Sequence, residues 1–212
     1  MHKFDNNNTD IHRQELKFKI LRCAMPLFKE KGIKAVRMDD IANTLSISKR
    51  TLYEIYDNKE DLLLAGVRMD SDDMEKRLQD YAMTAENEID IVVTFFKIKF
   101  ADLDNISPTF LRDLDKYEKV RAFLKECHEN QRNKSIDFIR QCVERGYFVP
   151  NINYEIIQDI CDSHINSSIT NALYEKFTIR DIFYNFFFVL LRGFCTEKGI
   201  SMLDQYLKKS HI

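Results

Sequence analysis

Residues 41–61, IANTLSISKRTLYEIYDNKED, constrain this chain more than any other stretch, because two short helical patterns are separated by only three residues, Ser46-Ile47-Ser48. Ile41, Ala42 and Leu45 mark one apolar face, Leu52, Ile55 and Tyr56 mark the next, and Ile47 is placed to plug the corner. Ala42 is small where the two helices must cross closely. Ser48 is a good N-cap for the second helix, and Lys49 and Arg50 follow at once. A helix dipole disfavours cations in the first turn. With nothing acidic until Glu54, these two point to an external anion, and backbone phosphate is the obvious one. The pattern recurs at the next helix start, where Asn58 and Asp61 form a capping pair around Lys59, and Arg37 precedes the short helix upstream.

These positions define a candidate DNA surface. Arg50 and Thr51 face outward one turn before Leu52 and Ile55 close the core, so they are assigned to base edges. Lys49, Tyr53, Lys59 and Arg37 are assigned to phosphates, and Ser48 and Tyr56 bound the recognition helix.

Three segments carry a family resemblance: Met38-Asp39-Asp40-Ile41-Ala42, then Ser46-Ile47-Ser48-Lys49-Arg50-Thr51-Leu52-Tyr53, then Lys59-Glu60-Asp61-Leu62. Together with Ala24-Met25-Pro26-Leu27-Phe28-Lys29-Glu30-Lys31-Gly32 upstream, they resemble the DNA-binding domain of the tetracycline-repressor (TetR) family, over roughly residues 15 to 65. Ser46 stands where such turns usually carry Gly, Arg50 where a small Gly is common, and Ile55 where a polar aromatic is often found. Pro26 lies inside a helical run and removes the bond to the Arg22 carbonyl. The resemblance implies an all-α protein with an N-terminal three-helix DNA-binding domain containing a helix-turn-helix. A C-terminal helical ligand-binding and dimerisation domain follows. The expected division is a disordered tail over 1–10, the DNA-binding domain over 11–58 and the second domain over 59–212.

Composition fits without proving it. Among 212 residues, 5 Gly and 3 Pro against 16 Phe and 9 Tyr favour helices with aromatic cores over a turn-rich β fold. Residues 1–65 hold 12 Lys+Arg and 10 Asp+Glu, net +2, and the remainder 20 and 24, net −4. So mild an asymmetry would not suggest nucleic acid on its own. No run reaches the roughly 18 apolar residues of a membrane span, and the N-terminus has no basic-then-apolar signal segment. Five cysteines without paired spacing suit a reducing compartment, so a cytoplasmic location and no membrane partner are expected.

Helix 1 is expected over about Ile11–Lys31, ended by Gly32. A connecting helix follows from Lys59 to about Tyr81, with no Gly/Ser linker, so the two domains are expected to be joined by rigid helix. Ser107-Pro108 reads as an N-cap and first helical residue. Glu118–Arg145 is long and amphipathic, 147–153 is a loop, and helices are expected over Tyr154–Lys176 and Ile179–Thr196.

The last of these is apolar nearly all round and must be buried on two sides, which suits a two-fold four-helix interface of the kind TetR-family proteins use. Ile157, Ile165, Phe183, Phe187, Leu190, Leu191 and Phe194 are the candidate dimer residues. The excess of aromatics suggests a pocket between helices, with Phe96, Phe100, Phe110, Tyr117, Phe123, Cys161, His164, Ser168 and Phe183 as candidates. No Lys or Arg cluster accompanies them, so a neutral or cationic, largely apolar effector is expected.

Cys161 and His164 match no standard metal spacing, and no phosphate loop or nucleophile elbow occurs. No metal, cofactor or enzymatic activity is expected. The leading reading is a homodimeric transcriptional regulator that binds a palindromic double-stranded operator and is released by a small hydrophobic molecule. The competing reading is a helical sensor or adaptor acting through protein contacts, which Ile55 and the weak basic balance would favour.

Overall fold

The computed structural model describes residues 4–103, 105–170, 173 and 176–210, with side chains described from residue 11 onward except at 165, 166, 168–170, 209 and 210. The described residues form ten α-helices and no strand: α1 (Phe4–Lys31), α2 (Met38–Thr44), α3 (Lys49–Ile55), α4 (Lys59–Ala82), α5 (Glu88–Leu103), α6 (Pro108–Leu114), α7 (Glu118–Glu144), α8 (Tyr154–Thr170), α9 (Ile179–Gly193) and α10 (Glu197–Ser210). None is long and apolar enough to cross a membrane. The chain divides into two compact units, Met1–Asp72 with Asn105–Phe123, and Asp73–Asp104 with Leu124–Ile212.

The first unit is built around α1. Ile20, Ala24 and Phe28 are wholly buried on one stripe, and Leu21 and Met25 extend it. Against them pack Met38, Ile41 and Ala42 of α2, Leu52 of α3 and Leu62 and Leu63 of α4. Helix α4 approaches α1 so closely that a β-carbon on Gly66 would stand 2.2 Å from the Met25 sulfur, so a larger residue there would have to displace the Met25 side chain. Helix α1 ends where Gly32 adopts φ +86° and its N–H donates to the Phe28 carbonyl at 2.9 Å.

The unit then takes back residues 105–123. The Ser107 N–H donates to the Lys29 carbonyl at 2.8 Å, and Ser107 Oγ accepts from the Phe110 N–H at the start of α6. Phe110 and Val120 complete the core of helices α1–α4. Asp113, 2% exposed, accepts from the Lys34 N–H at 3.0 Å and from the Lys116 ammonium at 2.8 Å. Burial alone would push its pKa up, but these two donors outweigh it and hold the carboxyl below its usual range.

In the second unit Ile89 and Val93 of α5, Cys142 of α7, Leu191 and Cys195, and Leu203 and Tyr206 of α10 form the core. Residues 147–149 pass beside the end of α9: Val149 N–H donates to the Phe194 carbonyl, and Thr196 Oγ1 donates to the Gly146 carbonyl. Thr196 Oγ1 also accepts from the Gly199 N–H and so caps α10, whose Asp204 takes the Arg192 guanidinium in a two-pronged pair.

Several expectations change. Helix α1 is described from Phe4, so residues 4–10 of the segment read as a tail are helical. The unit boundary falls inside α4 rather than at 58/59, because Leu62, Leu63 and Gly66 pack on α1. Helix α8 is described as far as Thr170; residues 171, 172, 174 and 175 of the expected Tyr154–Lys176 helix lie outside the described ones. Helix α9 ends at Gly193, and the separate α10 that follows was not expected.

Candidate nucleic-acid interface

The turn between α2 and α3 is made tightly. Ser46 takes φ +54°, a left-handed conformation that costs a residue with a β-carbon about 1–2 kcal/mol. That strain was legible in the sequence, where Ser occupies the place of the usual Gly. The Ile47 N–H donates back to the Ala42 carbonyl at 3.0 Å, and Ile47 packs on the core from the turn. Ser48 then caps α3: its Oγ accepts from the Thr51 N–H at 3.0 Å and sits 2.7 Å from the Thr51 hydroxyl. One face of α3 is pinned by Leu52, wholly buried, and Ile55 packs on the same core. At the far end the Arg13 guanidinium of α1 donates to the Glu54 carbonyl at 3.1 Å and satisfies one of the free carbonyls there. Nothing in the sequence marked Arg13.

With α3 held on that face, its first turn is left exposed. Lys49, Arg50 and Tyr53 face solvent, and Arg50 is 89% exposed at its side chain. The cations are not unpaired, as the sequence reading supposed. Lys49 Nζ lies 2.8 Å from Asp39 of α2, and Arg50 Nε 2.8 Å from Glu54. The hydrogen bond that the Lys49 ammonium donates to Asp39 is the main reason its pKa rises, and Glu54 raises that of Arg50. Asp39 was missed because its ten-residue separation from Lys49 hides a contact that only the α2–α3 crossing creates. Exposed pairs of this kind are worth little, so either carboxylate can be exchanged for phosphate.

Arg37, Asp39, Lys49, Tyr53, Asn58 and Lys59 surround one open cleft. Three of these are cations and one is a carboxylate. The Lys49 ammonium lies 5.9 Å from the Tyr53 ring centre. Arg37 heads α2, its N–H donating to Asp40 Oδ2 at 2.8 Å. Asn58 caps α4 through the Asp61 N–H at 2.9 Å. Lys59 is the half-buried member: its ammonium donates to the Ile33 carbonyl at 3.0 Å, and burial pushes its pKa down.

Of the eight predicted DNA residues, Arg37, Lys49, Tyr53 and Lys59 meet in this cleft, and Ser48, Arg50 and Thr51 lie on the adjoining first turn of α3. Tyr56 is corrected: it is 8% exposed within the core, and burial pushes its phenol up to about 12. Its ring closes the corner after α3 and does not face solvent.

The predicted ligand residues divide. Phe110 is in the core of the first unit, Tyr117 packs against that core, and Phe123 lies under the Arg68 guanidinium at 4.3 Å, so none of the three lines a pocket of the second unit. Phe96 and Phe100 line an apolar cleft in the second unit, and Phe183 stacks on Phe187 at 6.1 Å. His164 stacks on Phe186 at 3.7 Å, and burial raises the Cys161 thiol, which works against thiolate chemistry. Among the described residues no group of three His, Cys, Asp or Glu is arranged to hold a metal ion. Ser168, and Ile165 from the dimer set, lie outside the described side chains.

The predicted dimer residues also divide. Phe187 packs 5.3 Å from Phe96, Leu191 is 5% exposed, and Phe194 packs edge-on against Phe148 and Tyr154. Leu191 belongs to the interior of the second unit; Phe187, Phe194, Phe183, Leu190 and Ile157 are half-buried. Among the described side chains of α8 and α9, the exposed large apolar ones are Ile156, Ile160 and Val189.

Residues 20–65 match the family of bacterial regulatory proteins called tetR. A 143-residue segment is 22% identical to the transcriptional repressor KstR2 of Mycobacterium tuberculosis, over 65% of this chain and 72% of that protein. A shorter one of 47 residues is 45% identical to IcaR, a negative regulator of a biofilm operon in Staphylococcus epidermidis, over 22% of this chain and 25% of that one. Among solved structures, KstR2 superposes with a TM-score of 0.59 at 19% identity, covering 85% of this chain and 95% of that one. A transcriptional regulator of Saccharomonospora viridis in complex with choline gives 0.65 at 17%, covering 93% and 97%. The matched segment ends within α4 and contains the turn, the capped recognition helix and the cationic cleft described above: residues 20–65 are a DNA-binding segment of the tetR family of bacterial regulatory proteins, and the helical fold that continues beyond them is similar to that of solved transcriptional regulators.

Proposed function

We propose that this protein is a dimeric transcriptional repressor that reads a palindromic operator with α3 and leaves it when a small apolar molecule binds the second unit. The observation that carries this reading is the exposed first turn of α3. Ser48 caps it, Leu52 fixes its rotation, and Lys49, Arg50 and Thr51 are thereby turned outward beside Arg37, Tyr53 and Lys59. In a major groove the outer side chains meet base edges and the flanking cations meet phosphates. Asp39 and Glu54 hold Lys49 and Arg50 in place until phosphate or a base edge replaces them.

Two recognition helices are needed to read a palindrome, and the exposed Ile156, Ile160 and Val189 on α8 and α9 are the surface we assign to the second copy. Effector release follows from linkage: a ligand that favours the protein state with lower DNA affinity weakens binding by its differential affinity for the two states. The reading places the protein in the cytoplasm, with its DNA. An adaptor without DNA binding loses its main support, because Ile55 packs on the core and its apolar character has a structural reason. The test is selection from a random pool of double-stranded DNA by purified protein. Enrichment of an inverted repeat is expected; a pool that stays random after several rounds refutes the reading.

A further inference from the structure

Helix α6 packs on the turn that follows α1. A β-carbon on Gly32 would stand 2.5 Å from Thr109 Cγ2 and 3.4 Å from Asp113 Oδ2, so these two side chains, one helical turn apart, lie directly on that turn. Two hydrogen bonds meet there on a single peptide group, the one that joins Ile33 to Lys34. Its N–H donates to Asp113 Oδ2 at 3.0 Å, and its carbonyl accepts from the Lys59 ammonium at 3.0 Å. The group is planar, so N–H and carbonyl turn together about the flanking Cα atoms. Ile33 is wholly buried and Lys34 is exposed, so packing fixes only one of those two ends. Asp113 Oδ1 takes the Lys116 ammonium at 2.8 Å, which leaves Oδ2 for the peptide. Burial lowers the Lys59 pKa, and Asp113 is the first of the two carboxylates, with Asp40, that offset it.

We propose that Asp113 is a positioning residue for the DNA cleft: by holding the Lys34 N–H it sets the direction of the Ile33 carbonyl, and that carbonyl holds the Lys59 ammonium in the cleft beside Arg37 and Lys49. This role rests on the repressor reading, in which Lys59 meets phosphate. Asp113 is 2% exposed and does not meet DNA itself. An N–H engaged by a carboxylate polarises its peptide and makes the carbonyl a stronger acceptor, so the two bonds reinforce each other. An ammonium has three donors, and with one on Ile33 two remain for phosphate. A lysine held in this way loses less rotamer freedom on meeting phosphate than a free one does. Without Asp113 the peptide can turn, its carbonyl leaves the ammonium, and Lys59 returns to solvent. Charge alone would act in the opposite direction, because removing a carboxylate near a phosphate-binding surface strengthens DNA binding. The sign of the effect therefore separates positioning from charge.

The affinity of the full-length protein for a selected and a random duplex is measured over a range of salt for wild type, Asp113→Ala, Lys59→Met and the double variant. Asp113→Ala is expected to weaken binding to both duplexes at least about 3-fold and to flatten the slope of log affinity against log salt toward that of Lys59→Met. The double variant should bind no more weakly than Lys59→Met, since Asp113 has no effect once the residue it positions is gone. Asp113→Asn, which keeps an acceptor oxygen for the Lys34 N–H, should keep the wild-type slope. Ser107→Ala removes the cap of α6 without touching the peptide, so it should lower the unfolding midpoint and leave the slope alone. Asp113→Ser, too short to reach the Lys34 N–H, replaces the alanine variant if that one lacks native circular dichroism. Unchanged or tighter binding by Asp113→Ala, losses that multiply in the double variant, or Asp113→Asn binding as weakly as Asp113→Ala would each overturn the assignment, as would a Ser107→Ala slope as flat as that of Asp113→Ala. A wild-type slope for Lys59→Met would overturn it and also strike Lys59 from the repressor's phosphate contacts. A flattened slope for Lys59→Met beside a wild-type slope for Asp113→Ala overturns the positioning role alone and spares the repressor.

Discussion

Asp113 offers the sharpest test of how α6 joins the DNA-binding unit. Its carboxylate is almost wholly buried and holds two donors, the Lys34 N–H in the turn after α1 and the Lys116 ammonium. Asp113→Ala leaves the Lys34 N–H without its acceptor in a partly buried place, which costs about 1–3 kcal/mol. Loss of the Lys116 pair adds little, because that ammonium is exposed to solvent. A decrease of about 2 kcal/mol is therefore expected, and Asp113→Asn, which keeps an acceptor oxygen, should lose about half as much. Urea unfolding followed by circular dichroism gives the values, and hydrogen exchange at the Lys34 and Ser107 amides locates them.

The pH dependence has a definite sign. The folded carboxyl lies below its unfolded value near 3.9, so its contribution is fully present above that value and is lost as pH falls through the folded pKa. Wild type should therefore approach Asp113→Asn in stability as the solution is acidified below about pH 4. If Asp113→Ala lies within about 0.5 kcal/mol of wild type at neutral pH, the anchor is not a real contributor and the reasoning fails.

Three other perturbations follow. Ser46→Gly should stabilise the protein by about 1 kcal/mol, since glycine accepts φ +54° without a β-carbon clash; Ser46→Ala should gain nothing, and equal midpoints for the two would remove strain from the turn. Lys59→Met should lower stability through the lost bond to the Ile33 carbonyl and also flatten the slope of log affinity against log salt by about 0.9; an unchanged slope would make Lys59 purely structural. Val189→Glu should stay folded and sediment as a monomer, whereas Phe187→Glu should unfold the second unit by burying a charge beside Phe96; a folded monomeric Phe187→Glu would return that residue to the interface.

The residues that made the helix-turn-helix legible are those whose partners lie nearby in sequence. Ser48 with Thr51, Asn58 with Asp61, and Gly32 with Phe28 are each separated by three or four positions, and helical spacing predicts all three. Contacts across elements were hidden. Lys49 with Asp39, Arg13 with Glu54 and Lys34 with Asp113 depend on how helices cross, which no local pattern encodes. Helix α9 shows a second limit. An apolar surface of that width does not say which residues face inward: Leu191 proved to be interior, while Phe187 lies half-buried against Phe96. The aromatic excess likewise announced packing without location, so Phe110 and Tyr117, read as pocket residues, serve the other unit's core. Helix α10 had a readable signal in the Thr196 cap and the Leu203, Tyr206, Leu207 stripe, which the sequence reading did not use.

The central claim is that α3 reads bases with Arg50, and the direct measurement is the affinity of wild type and Arg50→Ala for two duplexes, one taken from the selected pool and one random, at the same salt. An arginine that pairs with guanine discriminates by an amount that corresponds to roughly 5- to 150-fold in affinity. The account predicts a loss in that range on the selected duplex, little change on the random one, and unaltered folding, because Arg50 is 89% exposed at its side chain and pairs with Glu54 on the helix surface. An equal loss on both duplexes would reduce Arg50 to a phosphate contact, and no loss on either would contradict the claim.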